Sequence, residues 1–285
     1  MRVPTGATTL NPVYSTIEIV GTGMSSWYNA LQLNLQRRLT AGLQFQVAYT
    51  FSRAINMADV NYSQGSIPGE GNIFYTHEPG VNKGLSGIHV KNMLSTNYLY
   101  ELPFGSGRQW LSERNVWSYL LGNWDLNGIV TLKSGQPFTL GVGTPSALSG
   151  LATGRRPDVV SGVEPVIWGD PSESSDPSGD ERYFDPAAGF RNPTDTRSVG
   201  NLGRHTMIGP GIANWDIGLS KNVPVTESMR LQFRSEFFNL FNHANFSSPA
   251  STLYDANGLA AGNAGVISQT TTKPREIQFG LKLIF

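Results

Sequence analysis

Apolar and polar residues alternate along seven stretches of this chain, and the last stretch keeps alternating to the final residue. In 275–285, Ile277, Phe279, Leu281, Leu283 and Phe285 share one face, while Glu276, Gln278, Gly280 and Lys282 share the other. A period of two predicts β-strands with one apolar face, here at 27–38, 42–54, 88–102, 124–134, 212–221, 229–239 and 275–285. The pattern is cleanest in 42–54, where Leu43, Phe45, Val47, Tyr49 and Phe51 oppose Gln44, Gln46, Ala48, Thr50 and Ser52. In 229–239, Leu231, Phe233 and Phe237 oppose Arg230, Gln232, Arg234 and Glu236. Leu99 breaks the polar face of 88–102.

Alternation alone fits a soluble β-sandwich as well as a membrane sheet, since both have one apolar face. The connections separate the two. The links 39–41, 103–123 and 222–228 alternate with the much longer 55–87, 135–211 and 240–274. Short turns at one end and long loops at the other are expected of an outer-membrane barrel, with 103–123 the weakest member of the short set. Strands of about 9 to 11 residues suit a tilted crossing. If the chain ends on the periplasmic side, Trp27, Tyr49, Phe51, Trp215 and Phe237 fall near the outer ends, and Tyr98, Tyr100, Trp124 and Phe285 near the inner ends. Amphipathic rings favour both membrane interfaces.

Composition adds exclusions. No apolar run reaches the roughly 18 residues of a transmembrane helix. Net charge is zero with no basic run, which gives a nucleic-acid partner no electrostatic support. There is no cysteine, hence no disulfide or thiol chemistry. Met1 to Gly6 lacks the apolar core of a signal peptide, so the chain is expected to be cytoplasmic or an incomplete gene product.

Candidate chemistry is sparse. His77, His89, His205 and His243 lie far apart, and none is at ligand spacing with another. The acidic stretch 170–181 lacks the spacing of a calcium loop and reads as a solvated, turn-rich segment. Gly105-Ser-Gly107 and Gly141-Val-Gly143 are too short to cradle phosphate, and no nucleophile elbow occurs. The chain is therefore expected not to be an enzyme and to need no cofactor. Arg230, Gln232, Arg234 and Glu236 are lumen candidates if the apolar face meets lipid, with ion pairing inside the wall as the alternative role for the charges.

The final strand resembles the C-terminal assembly signal of bacterial outer-membrane barrels. Gln278, Gly280, Leu283 and Phe285 occupy its polar, glycine, hydrophobic and terminal aromatic positions. Further stretches extend the resemblance. They are Tyr28-Asn-Ala-Leu-Gln-Leu33, Arg37-Arg38 and Ala48-Tyr-Thr-Phe-Ser-Arg53; Tyr100-Glu-Leu-Pro-Phe-Gly105; and Gly122-Asn-Trp-Asp-Leu-Asn-Gly128 running to Lys133-Ser-Gly-Gln-Pro-Phe138. Then come Tyr183-Phe-Asp-Pro-Ala187, Gly200-Asn-Leu-Gly-Arg204, Gly209-Pro-Gly211 and Phe233-Arg-Ser-Glu-Phe-Phe-Asn-Leu-Phe-Asn-His243. In this order they resemble the C-terminal barrel of TonB-dependent outer-membrane receptors, most closely the Oar-like group.

The resemblance implies an all-β antiparallel transmembrane barrel of about 22 strands, with extracellular loops, a periplasmic C-terminus and an N-terminal plug. The implied partners are outer-membrane lipid, the barrel-assembly machinery, the rest of the barrel with its plug, an energy-transducing inner-membrane complex, and a scarce large solute such as a siderophore, oligosaccharide or peptide. Plug and signal peptide are absent from 1–285. Closed bacterial barrels have even strand numbers, so seven strands imply one segment of the domain. Leu43, Phe45, Val47, Phe233, Phe279 and Leu281 are then expected to face lipid, and ligand contacts are expected in 55–87 and 135–211. An adhesive or structural barrel without transport is the alternative, followed by a secreted carbohydrate-binding sandwich.

Overall fold

A computed structural model of the protein describes residues 24–57, 79–105, 107–113, 115–143, 155–175, 181–195, 200–226 and 229–285. Seven long strands dominate it: β1 (Ser26–Thr40), β2 (Leu43–Asn56), β3 (Asn92–Glu101), β4 (Trp124–Lys133), β5 (Ile212–Pro224), β6 (Arg230–Phe238) and β7 (Glu276–Ile284). Each pairs antiparallel with the next, so the sheet is a plain meander in chain order. All seven alternating stretches form strands, with shifted ends. β1 runs to Thr40 through an irregularity between Arg37 and Thr40, and the turn falls on Ala41 and Gly42. Both have positive φ, 50° and 77°, as a two-residue hairpin turn of matching twist requires.

The largest shift is at β3. The alternation suggests a start at 88, but residues 88–91 leave the sheet and β3 begins at Asn92. After a last backbone bond, Ser52 N–H to Lys91 O (2.9 Å), side chains take over: Ser52 Oγ donates to Val90 O (2.7 Å), and the Ala54 N–H donates to His89 Nδ1 (3.2 Å). A short strand, Gly84–Leu85, then pairs with Ile55 and Asn56 and prolongs the edge outward.

The start of β1 and the ends of β2, β4 and β6 lie at one end of the sheet, and there the described parts of the long loops pack into a cap. Its core is Leu140, Tyr183, Phe184, Phe190, Leu202, Met207, Leu253 and Ala264. Short pairings knit it together: Pro137–Phe138 with Met207–Ile208, Gly141–Val142 with Thr252–Tyr254, and Asp158–Val159 with Phe190–Arg191. These loops contain the most buried apolar residues among those described. Arg155, Arg156 and Arg182 are buried among them and donate to main-chain carbonyls of Pro193, Val81 and Gly262.

At the opposite end, the link after β3 carries a single helical turn and a half, α1 (Val116–Leu121). Among the described residues β1 and β7 pair only with β2 and β6, and every residue of β1 is exposed.

Candidate functional site

Register turns the sequence alternation into two continuous surfaces. One row across all seven strands is Arg37, Phe45, Tyr98, Gly128, Ile217, Phe237 and Ile277. Two strand positions nearer the α1 end lies the row Leu43, Tyr100, Leu126, Leu219, Ser235 and Phe279. Leu43, Phe45, Val47, Phe233, Phe279 and Leu281 therefore occupy one face. The opposite face carries the row Gln44, Leu99, Asn127, Gly218, Glu236 and Gln278, in which Leu99 is the apolar exception.

Polar tips on the apolar face find partners inside the chain. Tyr49 OH donates to Asn92 Oδ1 (2.8 Å), and Trp215 Nε1 donates to Tyr98 OH (3.0 Å). The second bond spans three strands because β4 has Gly128 between them: a Cβ there would lie 2.4 Å from Tyr98 Oη and 2.8 Å from Asp216 O. At the α1 end, Trp124 Nε1 donates to Leu120 O (3.0 Å), and Lys221 Nζ donates to Leu120 O (3.0 Å) and Gly122 O (2.8 Å). In water such groups need no internal partner, whereas in hydrocarbon an unpartnered N–H or O–H is expensive. Sequence periodicity put these residues on the right face but gave no sign of the bonds, which depend on cross-strand register.

The polar face carries a connected set at the same end. Arg108 reaches back from the link to pair with Glu101 and lies 3.8 Å from Asp125 Oδ1; Asn222 Nδ2 donates to Asp125 Oδ2 (3.2 Å), and Gln232 Nε2 to Asn222 Oδ1 (3.1 Å). Of the β6 candidates, Gln232 thus joins a network across strands. Arg234 and Glu236 pair along their own strand at 3.4 Å rather than across strands, and Arg230 sits opposite Pro224 at the strand's end. Arg108, Glu101 and Asp125 were not singled out by the sequence, because Arg108 lies in a link with no period.

In the C-terminal pattern, Gln278 and Gly280 stand opposite Glu236 and Arg234 on the polar face, and Leu283 opposite Leu231 on the apolar one. A Cβ on Gly280 would meet only Arg234 Cβ, at 4.0 Å. Phe285, just past β7, is 92% exposed.

Two histidine rings, those of His89 and His205, make hydrogen-bond contacts where the cap meets the sheet. His89 accepts from Ala54, and burial, then Arg53, then Lys91 hold its imidazole below its ordinary pKa. His205 is buried against Leu85 O, and the His243 N–H donates to Asn239 Oδ1 (3.0 Å). His77 lies outside the described residues, as do 58–78, 144–154 and 196–199 of the long loops and 176–180 of the acidic stretch. Asp170, at the start of that stretch, caps a short turn through Ser172 N (2.9 Å) and Oγ (2.8 Å), which lowers its pKa. Burial raises the pKa of Tyr183, whose hydroxyl donates to Ile208 O (2.9 Å).

A two-faced antiparallel sheet with internally satisfied polar tips and loops gathered at one end is the anatomy of a barrel wall. A family model described as an outer membrane beta barrel domain matches residues 2–278. The chain belongs to this family. Comparison with curated proteins and with solved structures gave no match. As an outer-membrane β-barrel domain, the chain resides in the outer membrane in association with its lipid, and the meander β1–β7 is barrel wall.

Proposed function

We propose that this outer-membrane barrel segment is the C-terminal wall of a TonB-dependent receptor of the Oar-like type, taking up a scarce large solute. In this reading the apolar face meets lipid, the Gln232–Glu236 face lines the lumen, the cap is extracellular and Phe285 is periplasmic. The observation that carries the orientation of the faces is the set of polar tips on the apolar side, Tyr49, Trp215, Trp124 and Lys221, each partnered within the chain. Residues 278, 280, 283 and 285 act as a signal for the assembly machinery. Packing supports that role: Gly280 has room for a side chain and Phe285 contacts little, so neither is explained by the fold of the described residues.

The wall would contribute the pore, its loops would gather solute, and a plug carried elsewhere in the polypeptide would gate it. Binding residues concentrate on loops held by a rigid scaffold, which directs attention to the cap. The transport reading is tested by sequencing the coding region upstream of Met1. An in-frame signal peptide, plug and energy-coupling box support it. An open frame without plug or box supports an adhesive or structural barrel instead, a second reading favoured by the cap's own hydrophobic core and by exposed Val163, Val166, Ile167 and Leu259 on its surface.

A further inference from the structure

The link between β3 and β4 inverts the usual amphipathic rule. In α1 no residue is buried, and Ser118, which is half-buried, is taken up in a capping box with Asn115: Ser118 N donates to Asn115 Oδ1 (2.8 Å) and Asn115 N to Ser118 Oγ (3.1 Å). The apolar side chains point out. Val116 is 71% exposed, Trp117 63%, and Tyr119, Leu120 and Leu121 are all more than half exposed. A six-residue helix has little stability of its own. This one is pinned by its box, by Gly122 N donating to Ser118 O (3.0 Å), and by a glycine contact at its base, where a Cβ on Gly122 would lie 2.7 Å from Gly105 Cα. A rigid, outward array of five apolar side chains is not a feature to leave in water.

Its anchors locate it on one side of the wall. Lys221 and Trp124 hold the α1 carbonyls, and both lie in a single row of the apolar face with Phe233 and Leu281. Arg108 of the same link turns instead to the polar face, so the link straddles the rim and α1 hangs outside it. The lysine has three compensations there: two carbonyls at the helix C-terminus and the Trp124 ring, 5.0 Å from Nζ. A tryptophan, a tyrosine and a snorkelling lysine beside an apolar band are the chemistry of a lipid headgroup boundary.

We propose that α1 is a lipid-interface anchor, lying against the periplasmic leaflet of the outer membrane with Trp117, Leu120 and Leu121 inserted beside the wall. The surface it docks on is phospholipid, continuous with the apolar band of β4–β7. The inference rests on the assignment of that band to lipid and adds a second membrane contact made by a link rather than a strand.

The test is made in the full polypeptide that closes the barrel, with any cysteine outside residues 1–285 replaced, since these residues contain none. Single variants Val116→Cys and Leu120→Cys, whose side chains are exposed, are assembled in the outer membrane, purified, reconstituted in phosphatidylethanolamine and phosphatidylglycerol vesicles, and spin-labelled. Collision with oxygen and with a water-soluble nickel chelate then gives depth. Phe45→Cys serves as the band control and Asn257→Cys, in the cap, as the water control. The expected result is a label at both helix positions that oxygen reaches better than nickel, at a depth of about 5 to 10 Å. If Phe45 reads as lipid-exposed but both helix labels behave like Asn257, the anchor is refuted and the barrel orientation stands. Helix labels shielded from both reagents would mean a protein surface covers α1, which also overturns the lipid proposal. If Phe45 itself is not lipid-exposed, the underlying orientation fails.

Discussion

At the residue scale, the two faces should respond oppositely to charge. Arginine at Phe45 or Leu281 is expected to cost about 2 to 4 kcal/mol at mid-membrane, and arginine at Gln46 or Gln232 much less. Equilibrium unfolding, in vesicles, of the full polypeptide that closes the barrel measures both, and equal costs would contradict the assignment of faces. Gly128 provides a second case. Gly128→Val places carbon where Tyr98 lies, so Tyr98 must move and the Trp215 N–H loses its acceptor. A loss of about 1 to 3 kcal/mol follows from the strain and the unpaired donor. Tyr98→Phe, which keeps the ring and removes only the hydroxyl, should cost less than Gly128→Val; the reverse order would mean that the glycine is not there to seat Tyr98.

At the scale of elements, legibility followed periodicity. β2, β6 and β7 were readable because Phe45, Phe233 and Leu281 recur at two-residue spacing and the sheet keeps that period to its ends. The start of β3 was not, because Ile88 fits the alternation while His89 and Ser52 make side-chain bonds that end the strand at Asn92. α1 has too few residues for a helical period, and its box, Asn115 with Ser118, uses serine where glutamate or glutamine is the usual signal. The cap's core was not legible because Leu140, Phe184, Met207 and Leu253 sit singly among polar residues and meet only through tertiary folding. Its attachment at β2 should depend on pH. His89 Nδ1 accepts a hydrogen bond and so must be unprotonated; its folded pKa is depressed, so its contribution is full above the unfolded value of about 6.5 and is lost as pH falls through the folded one. Amide exchange at Ala54, corrected for intrinsic rate, should therefore rise below that value and be flat above it. A flat profile throughout would show that His89 does not hold this junction.

At the scale of the whole molecule, β1 and β7 decide what the chain is. Among the described residues both pair along one side only, and in a bilayer every N–H and C=O must be satisfied, so a membrane sheet must close. Seven strands of one meander were legible in the sequence; how the sheet closes was not, because pairing partners leave no local pattern. The central claim is that this meander is one stretch of a larger closed wall. Residues 1–285 secreted alone, extracted in mild detergent and run on gels with and without boiling, test it most directly. Open edges should give aggregated or degraded protein with no folded, heat-modifiable monomer. A monomer that migrates faster unboiled than boiled, and conducts ions in planar bilayers, would contradict the claim and show that these residues close a barrel by themselves.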